Sequence, residues 1–135
     1  MLRYSRSTNF FMQPFLGEIR PSYESLLIWQ RSMDFSVRIY QITKKFPVEE
    51  RYGLVSQMRR ASVSVPSNIA EGRYRSTGKD FRKFLFHALG SAAELDTQIC
   101  LATKCEILSK EYEKDLRGEI QEIMKMINAF TATLT

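Results

Sequence analysis

The sequence predicts an all-α protein: an antiparallel up-and-down four-helix bundle whose second helix is kinked at Pro66. Three observations lead there. Apolar residues recur at spacings of three and four in four separate stretches. Each stretch is long enough for a helix of roughly 20 to 28 residues, or ~30 to 40 Å. The connections between them are short, and short connections force neighbouring helices to run antiparallel. A chain of 135 residues holds one domain with a real core and is too short for two ordinary ones.

Residues 1–22 carry Pro14, Gly17 and Pro21 and no sustained period, so they read as an irregular N-terminal tail that orders only against a neighbour. The bundle then occupies residues 23–135. Ser22 or Ser25 is placed to cap the first helix, which runs to about Lys45. Leu26, Trp29, Met33, Val37 and Tyr40 are its expected inner stripe, with Trp29 a core or interface anchor, and Lys44 and Lys45 suit the negative end of the helix dipole. Phe46-Pro47 ends that helix and opens the next, with Glu49 and Glu50 in its first turn.

The second helix carries two stripes. Met58, Ala61, Val65 and Ile69 form an apolar face, and Gln57, Arg60, Ser64, Asn68 and Glu71 recur at the same spacings beside it. Pro66 cannot donate a backbone hydrogen bond and its ring crowds the carbonyl of Ser62, so the helix either kinks or stops there. Asn68, Ile69 and Glu71 continue the earlier phase, which favours a kink, and Gly72 supplies the helix end.

A basic turn, Arg73 to Asp80, follows, in which Thr77 and Asp80 resemble a capping box for the third helix. Phe81, Leu85, Ala88, Ala92, Leu95, Ile99 and Ala102 form a bundle seam along that helix, beside a polar stripe of His87, Ser91, Glu94 and Gln98. Gly90 costs about 1 kcal/mol in a helix interior, so a close backbone approach is expected there. Ser109 caps the fourth helix, whose seam is Leu116, Ile120, Ile123, Ile127, Phe130 and Leu134 and whose other faces are solvated.

With 44% hydrophobic and 26% charged residues the composition is that of a soluble globular protein. Cys100 and Cys105 lie five apart on one helix, pointing in different directions, so no disulfide joins them and a cytoplasmic protein is expected. No apolar run approaches bilayer length, and no secretory signal is present. Of the net charge of +5, an excess of +6 lies between Arg51 and Lys83, where eight basic residues face two acidic ones; the rest of the chain carries −1. Such a concentration is a possible footprint for a polyanion.

Catalytic chemistry finds no support. The lone histidine, His87, has no glutamate three residues before it, which rules out the di-iron carboxylate pattern, so no metal and no cofactor are expected. Gly72 to Gly78-Lys79 has one residue too many for a phosphate-binding loop and places Asp80 where a magnesium-binding hydroxyl belongs. No serine or cysteine pairs with His87 in a nucleophile motif. The chain is expected to be no enzyme and to have no small-molecule substrate.

If the second and third helices are neighbours, Arg60, Ser64, Asn68 and Glu71 can meet Ser91, Glu94 and Gln98 in a polar network that sets register, although a pore or groove would need the same groups.

Four segments, Leu26 to Arg31, Phe46 to Gly53, Gln57 to Gly72 and Gly90 to Leu95, together resemble the four-helix-bundle proteins encoded in intervening sequences of bacterial 23S ribosomal RNA genes. The resemblance covers most of residues 23–105. It implies an antiparallel bundle that assembles into a ring, a homo-oligomer of five subunits. A distantly similar bundle is a nucleic-acid-binding accessory to a reverse transcriptase, which makes RNA or DNA the lead for a partner. The expected contacts are Arg73, Arg75, Lys79, Arg82 and Lys83, with one of Arg59 and Arg60 tied to Glu71 or Glu94 instead. The competing expectation is a structural homo-oligomer that scaffolds a protein partner.

Overall fold

Four α-helices make up the computed structural model, which describes residues 22–134: α1 (Leu27–Thr43), α2 (Leu54–Arg73), α3 (Gly78–Lys104) and α4 (Lys110–Thr131). Short 3-10 turns at Ser22–Ser25 and Val48–Glu50 precede α1 and α2, and no strand occurs among the described residues. The tail expected over residues 1–22 lies outside them except for Ser22. Each helix packs on the next, and α1 also meets α4, so α1 and α3 occupy opposite corners of the bundle. Across every pair, rising numbers on one helix meet falling numbers on the other: Ser36 with Ser62 and Thr43 with Arg59, Arg60 with Glu94 and Ser64 with Ser91, Phe81 with Phe130 and Asp96 with Arg117, Arg31 with Glu122 and Arg38 with Asp115. Antiparallel neighbours give that order.

The seam of α3 is buried at all seven of its positions, and Met58, Ala61, Val65 and Ile69 of α2 pack into the same core. In α4 the first four seam residues are buried, while Phe130 and, beyond the helix end, Leu134 are only half-buried and Thr131 takes the inward place. Burying one Leu, Ile or Phe side chain contributes roughly 1.5 to 3 kcal/mol, so these stripes dominate the stability.

The expected inner stripe of α1 is corrected. Ile28, Ser32, Phe35, Ser36, Ile39 and Thr43 face the core; of the expected stripe, Leu26 and Trp29 are half-buried against that core, Trp29 also meeting Tyr23, whereas Met33, Val37 and Tyr40 are exposed. Polarity hid the true inner face. Two of its hydroxyls are satisfied inside the helix, Ser32 donating to the Ile28 carbonyl at 2.6 Å and Thr43 to that of Ile39 at 2.7 Å, and the third, Ser36, finds its partner on α2, so burial leaves none of them unpaired.

The helix ends differ from expectation as well. Neither Ser22 nor Ser25 caps α1, because Ser25 donates to the Ser22 carbonyl within the 3-10 turn and Leu26 holds the N-cap position without a side-chain bond. α2 begins later than Phe46-Pro47 implied, and the Glu50 carboxylate accepts from the Leu54 N–H at 3.1 Å. Thr77 accepts from Asp80 N–H and Ser109 from Tyr112 N–H, capping α3 and α4. Gly72 does not end α2, which continues to Arg73; a Cβ there would lie 2.7 Å from the Phe84 Cβ, so the glycine lets α2 and α3 close against each other. Gly90 was the position expected to serve a close approach, yet a Cβ there would meet nothing within 4 Å.

α2 is continuous through Pro66, which is buried. Its missing N–H leaves the Ser62 carbonyl without the usual helix donor. Ser36 of α1 replaces it, its hydroxyl lying 2.7 Å from that carbonyl and 3.1 Å from its own Ser32 carbonyl. A hydroxyl has one proton, and the shorter contact is the one between helices. A bend at Pro66 is proposed from the missing bond alone.

The α3–α4 connection is a Schellman turn, with Ile107 N–H on the Ala102 carbonyl at 2.9 Å and Glu106 N–H on that of Thr103 at 3.0 Å. Glu106 holds the left-handed position, φ 62°, where glycine is favoured.

Two outcomes follow in urea denaturation. Ser36→Ala is expected to destabilise the chain by about 1 to 3 kcal/mol, and by clearly less when Pro66→Ala restores an N–H to the Ser62 carbonyl. An equal cost in both backgrounds would remove the proposed substitution of donors. Glu106→Gly is expected to stabilise by about 0.5 to 1 kcal/mol, and a lowered midpoint would contradict the strain at that position.

Candidate nucleic-acid interface

Four residues, 74–77, join α2 to α3, and the close approach that Gly72 permits sets the end of α2 against Phe81 and Phe84 of α3. Arg73, Tyr74, Arg75, Ser76 and Thr77 are exposed in sequence, followed by exposed Lys79 and Lys83 on the first turns of α3. Among the described residues no lysine takes part in an ion pair, so Lys79 and Lys83 present uncompensated charge.

The three arginines are held differently. Arg73 donates to the Ser22 hydroxyl at 3.1 Å, and its guanidinium carbon lies 5.8 Å from the centre of the Phe81 ring. Arg75 pairs with Glu71 at 3.0 Å and lies over the Phe84 ring, 4.6 Å from its centre. Arg82 points away from the turn, reaching the Leu134 carbonyl at 3.5 Å just beyond the end of α4, where a cation is favoured. The five expected contact residues therefore divide into one group at the turn and one arginine outside it.

Aromatic rings underlie this surface. Tyr74 is 66% exposed, and its ring meets Tyr23 edge-on at 5.9 Å; Tyr23 in turn packs against Trp29 at 5.3 Å. His87, also exposed, contacts Phe84 at 5.7 Å. The rings under the arginines were missed in the sequence, because arginine-on-ring contacts eight and nine residues apart leave no periodic signal.

The expected polar network divides into two groups. Arg60 bonds Gln57 at 2.7 Å and Glu94 at 2.8 Å, with Gln98 3.5 Å from the same carboxylate. Ser64 meets Ser91 at 2.8 Å, and Asn68 donates to the Ser64 carbonyl and hydroxyl. Glu71 belongs to neither, being drawn to Arg75. With Arg60 and Glu94 side chains 59% and 42% exposed, this pair is a rim contact worth at most about 1 kcal/mol. Arg59 also is committed elsewhere, over the Tyr40 ring at 4.6 Å and donating to the Thr43 hydroxyl at 3.0 Å.

Two other surfaces stand out. Between α1 and α2 lies a groove of about 510 Å³ lined by Met33, Val37, Tyr40, Val63, Pro66 and Ser67. On the other side of α1, Arg38 is clasped by Asp115 and Glu119, and its pKa is raised first by the hydrogen bond to Asp115. Burial pushes the Cys100 thiol up, which opposes nucleophilic use. No group of His, Cys, Asp or Glu among the described residues could hold a metal, and no helix there is long and apolar enough to cross a membrane.

Comparison with known proteins agrees with the architecture. Residues 24–129 match the family described as 23S rRNA-intervening sequence protein. A solved structure of a protein of unknown function from the S23 ribosomal protein family of Bacteroides thetaiotaomicron is 24% identical, with a TM-score of 0.69, covering 78% of this chain and 98% of that one. At that identity the likeness concerns the fold. Nothing among curated proteins matches the chain.

Proposed function

We infer that this chain, which belongs to the 23S rRNA-intervening sequence protein family, is a non-enzymatic homo-oligomer that binds RNA or DNA phosphates through the turn between α2 and α3. The observation that carries the reading is the cluster of Lys79 and Lys83, unpaired by any carboxylate among the described residues, beside Arg73 and Arg75 on one exposed turn. Phosphate backbones are recognised by such clusters without sequence information. Arg82 is a secondary contributor, since it leans on the end of α4.

Assembly rests on α1. A helix apolar on two faces buries only one of them within the chain, and Met33, Val37, Tyr40 and Val63 are left 39 to 54% exposed along the α1–α2 groove. A further copy of the chain covering that groove would repeat the basic turn around a ring, five-fold on the resemblance to the family. Repetition sums the potentials and converts weak single contacts into multivalent binding. The two free cysteines support a cytoplasmic setting. A second reading, scaffolding of a protein partner without nucleic acid, is favoured by the Glu71 carboxylate, which already compensates Arg75.

The joint replacement Arg75→Ala, Lys79→Ala and Lys83→Ala is expected to weaken binding of mixed RNA and DNA in a shift assay and to flatten its logarithmic salt slope by about one for each phosphate-binding cation removed. Unchanged helical content would show that the fold survives. Parental protein that binds nothing at low salt would transfer the role to scaffolding. In light scattering the parent is expected at a multiple of 15.8 kDa, and Val37→Glu at or near the single-chain mass; a parent already monomeric at micromolar concentration would remove the ring.

A further inference from the structure

The side chains of the turn are not arranged as a surface for phosphates alone would be. Arg75 has its charge met by Glu71 at 3.0 Å, yet its guanidinium is fixed over the Phe84 ring, 4.6 Å from the centre. That arrangement weakens it as a phosphate clamp and leaves its planar group as a rigid surface. Next to it in sequence, Tyr74 exposes two thirds of its area while one edge is braced by Tyr23, which is itself braced by Trp29 of α1. A large exposed aromatic ring with one edge against a neighbour loses less rotational freedom on binding than an unsupported one. Lys79 and Lys83, one helical turn apart on the start of α3, are exposed and unpaired among the described residues, and follow the two planar groups in the chain.

Planar groups interleaved with cations suit bases that are not already stacked and paired. In a duplex the base faces are covered by their neighbours and only phosphates and groove edges are offered. In a single strand every base presents a face to an aromatic ring or a guanidinium plane. Resting on the reading that this turn binds nucleic acid, we propose that it selects single-stranded over double-stranded nucleic acid by stacking unpaired bases on the Tyr74 ring and the Arg75 guanidinium, while Lys79 and Lys83 hold the flanking phosphates.

The test is fluorescence anisotropy of the full chain at low salt with an end-labelled, unstructured RNA of about 20 nucleotides, alone and annealed to its complement. The single strand is expected to bind at least about fivefold more tightly than the duplex. Tyr74→Leu is expected to reduce single-strand affinity about tenfold and leave duplex affinity unchanged, whereas Tyr74→Phe retains both. Arg75→Lys keeps the charge and loses the plane, so it should weaken the single strand with an unaltered salt slope. This variant does not disturb the Tyr23 packing and decides the matter alone if Tyr74→Leu fails to fold by circular dichroism. Equal or tighter duplex binding by the parent overturns the selectivity while leaving the basic turn as a phosphate site. Loss of both affinities alike in Tyr74→Leu with helical content intact overturns it too. Binding of neither probe by the parent defeats the nucleic-acid reading, and this inference with it.

Discussion

Within a bundle held by its apolar seams, the contact that most constrains how α1 meets α2 is the one that repairs α2 at Pro66. Proline removes a donor from the middle of a buried helix, and a carbonyl orphaned in a dry core costs about as much as a lost hydrogen bond or more. Ser36 supplies the missing proton from α1 at 2.7 Å, so the defect in one helix becomes a bond between two. That bond fixes which residue of α1 stands opposite which residue of α2. Arg59 reinforces the same register further along the pair, where it reaches the Thr43 hydroxyl and the Tyr40 ring. The other side of α2 is set against α3 by Ser64 with Ser91 and by the closure that Gly72 allows.

This register has a consequence for the surface. Once Ser32, Ser36 and Thr43 face inward with Ile28, Phe35 and Ile39, a second set of large side chains, Met33, Val37 and Tyr40, faces outward along the α1–α2 seam. The same serine that satisfies the α2 carbonyl thus leaves Met33, Val37 and Tyr40 in solvent. The helix thus carries large apolar side chains on two faces and buries one of them within the chain; a second copy is the occupant proposed for the other.

At the other end of the bundle, the close approach at Gly72 brings Phe81 and Phe84 under the arginines of the turn. Charge and aromatic surface are joined there by packing, since the rings come from α3 and Tyr23 from the segment before α1. The turn is consequently a composite of three parts of the chain.

Much of the fold was legible in the sequence. The α3 seam from Phe81 to Ala102 and the α2 stripe from Met58 to Ile69 were readable because a purely apolar period has one physical outcome, burial against another helix. The Thr77 and Ser109 caps were readable because their bonds are local. The excess of positive charge between Arg51 and Lys83 is likewise a property of the chain alone. Tertiary structure decided which face of α1 is buried, because hydroxyls that bond to their own helix lose the polarity by which a pattern ranks them. It decided that Gly72 serves closure and Gly90 does not, since a glycine's purpose lies in what stands opposite it. It separated Arg75 and Arg82 from the lysines as well. Whether a cation is available depends on the carboxylate or carbonyl that folding brings within reach, and sequence distance does not carry that information.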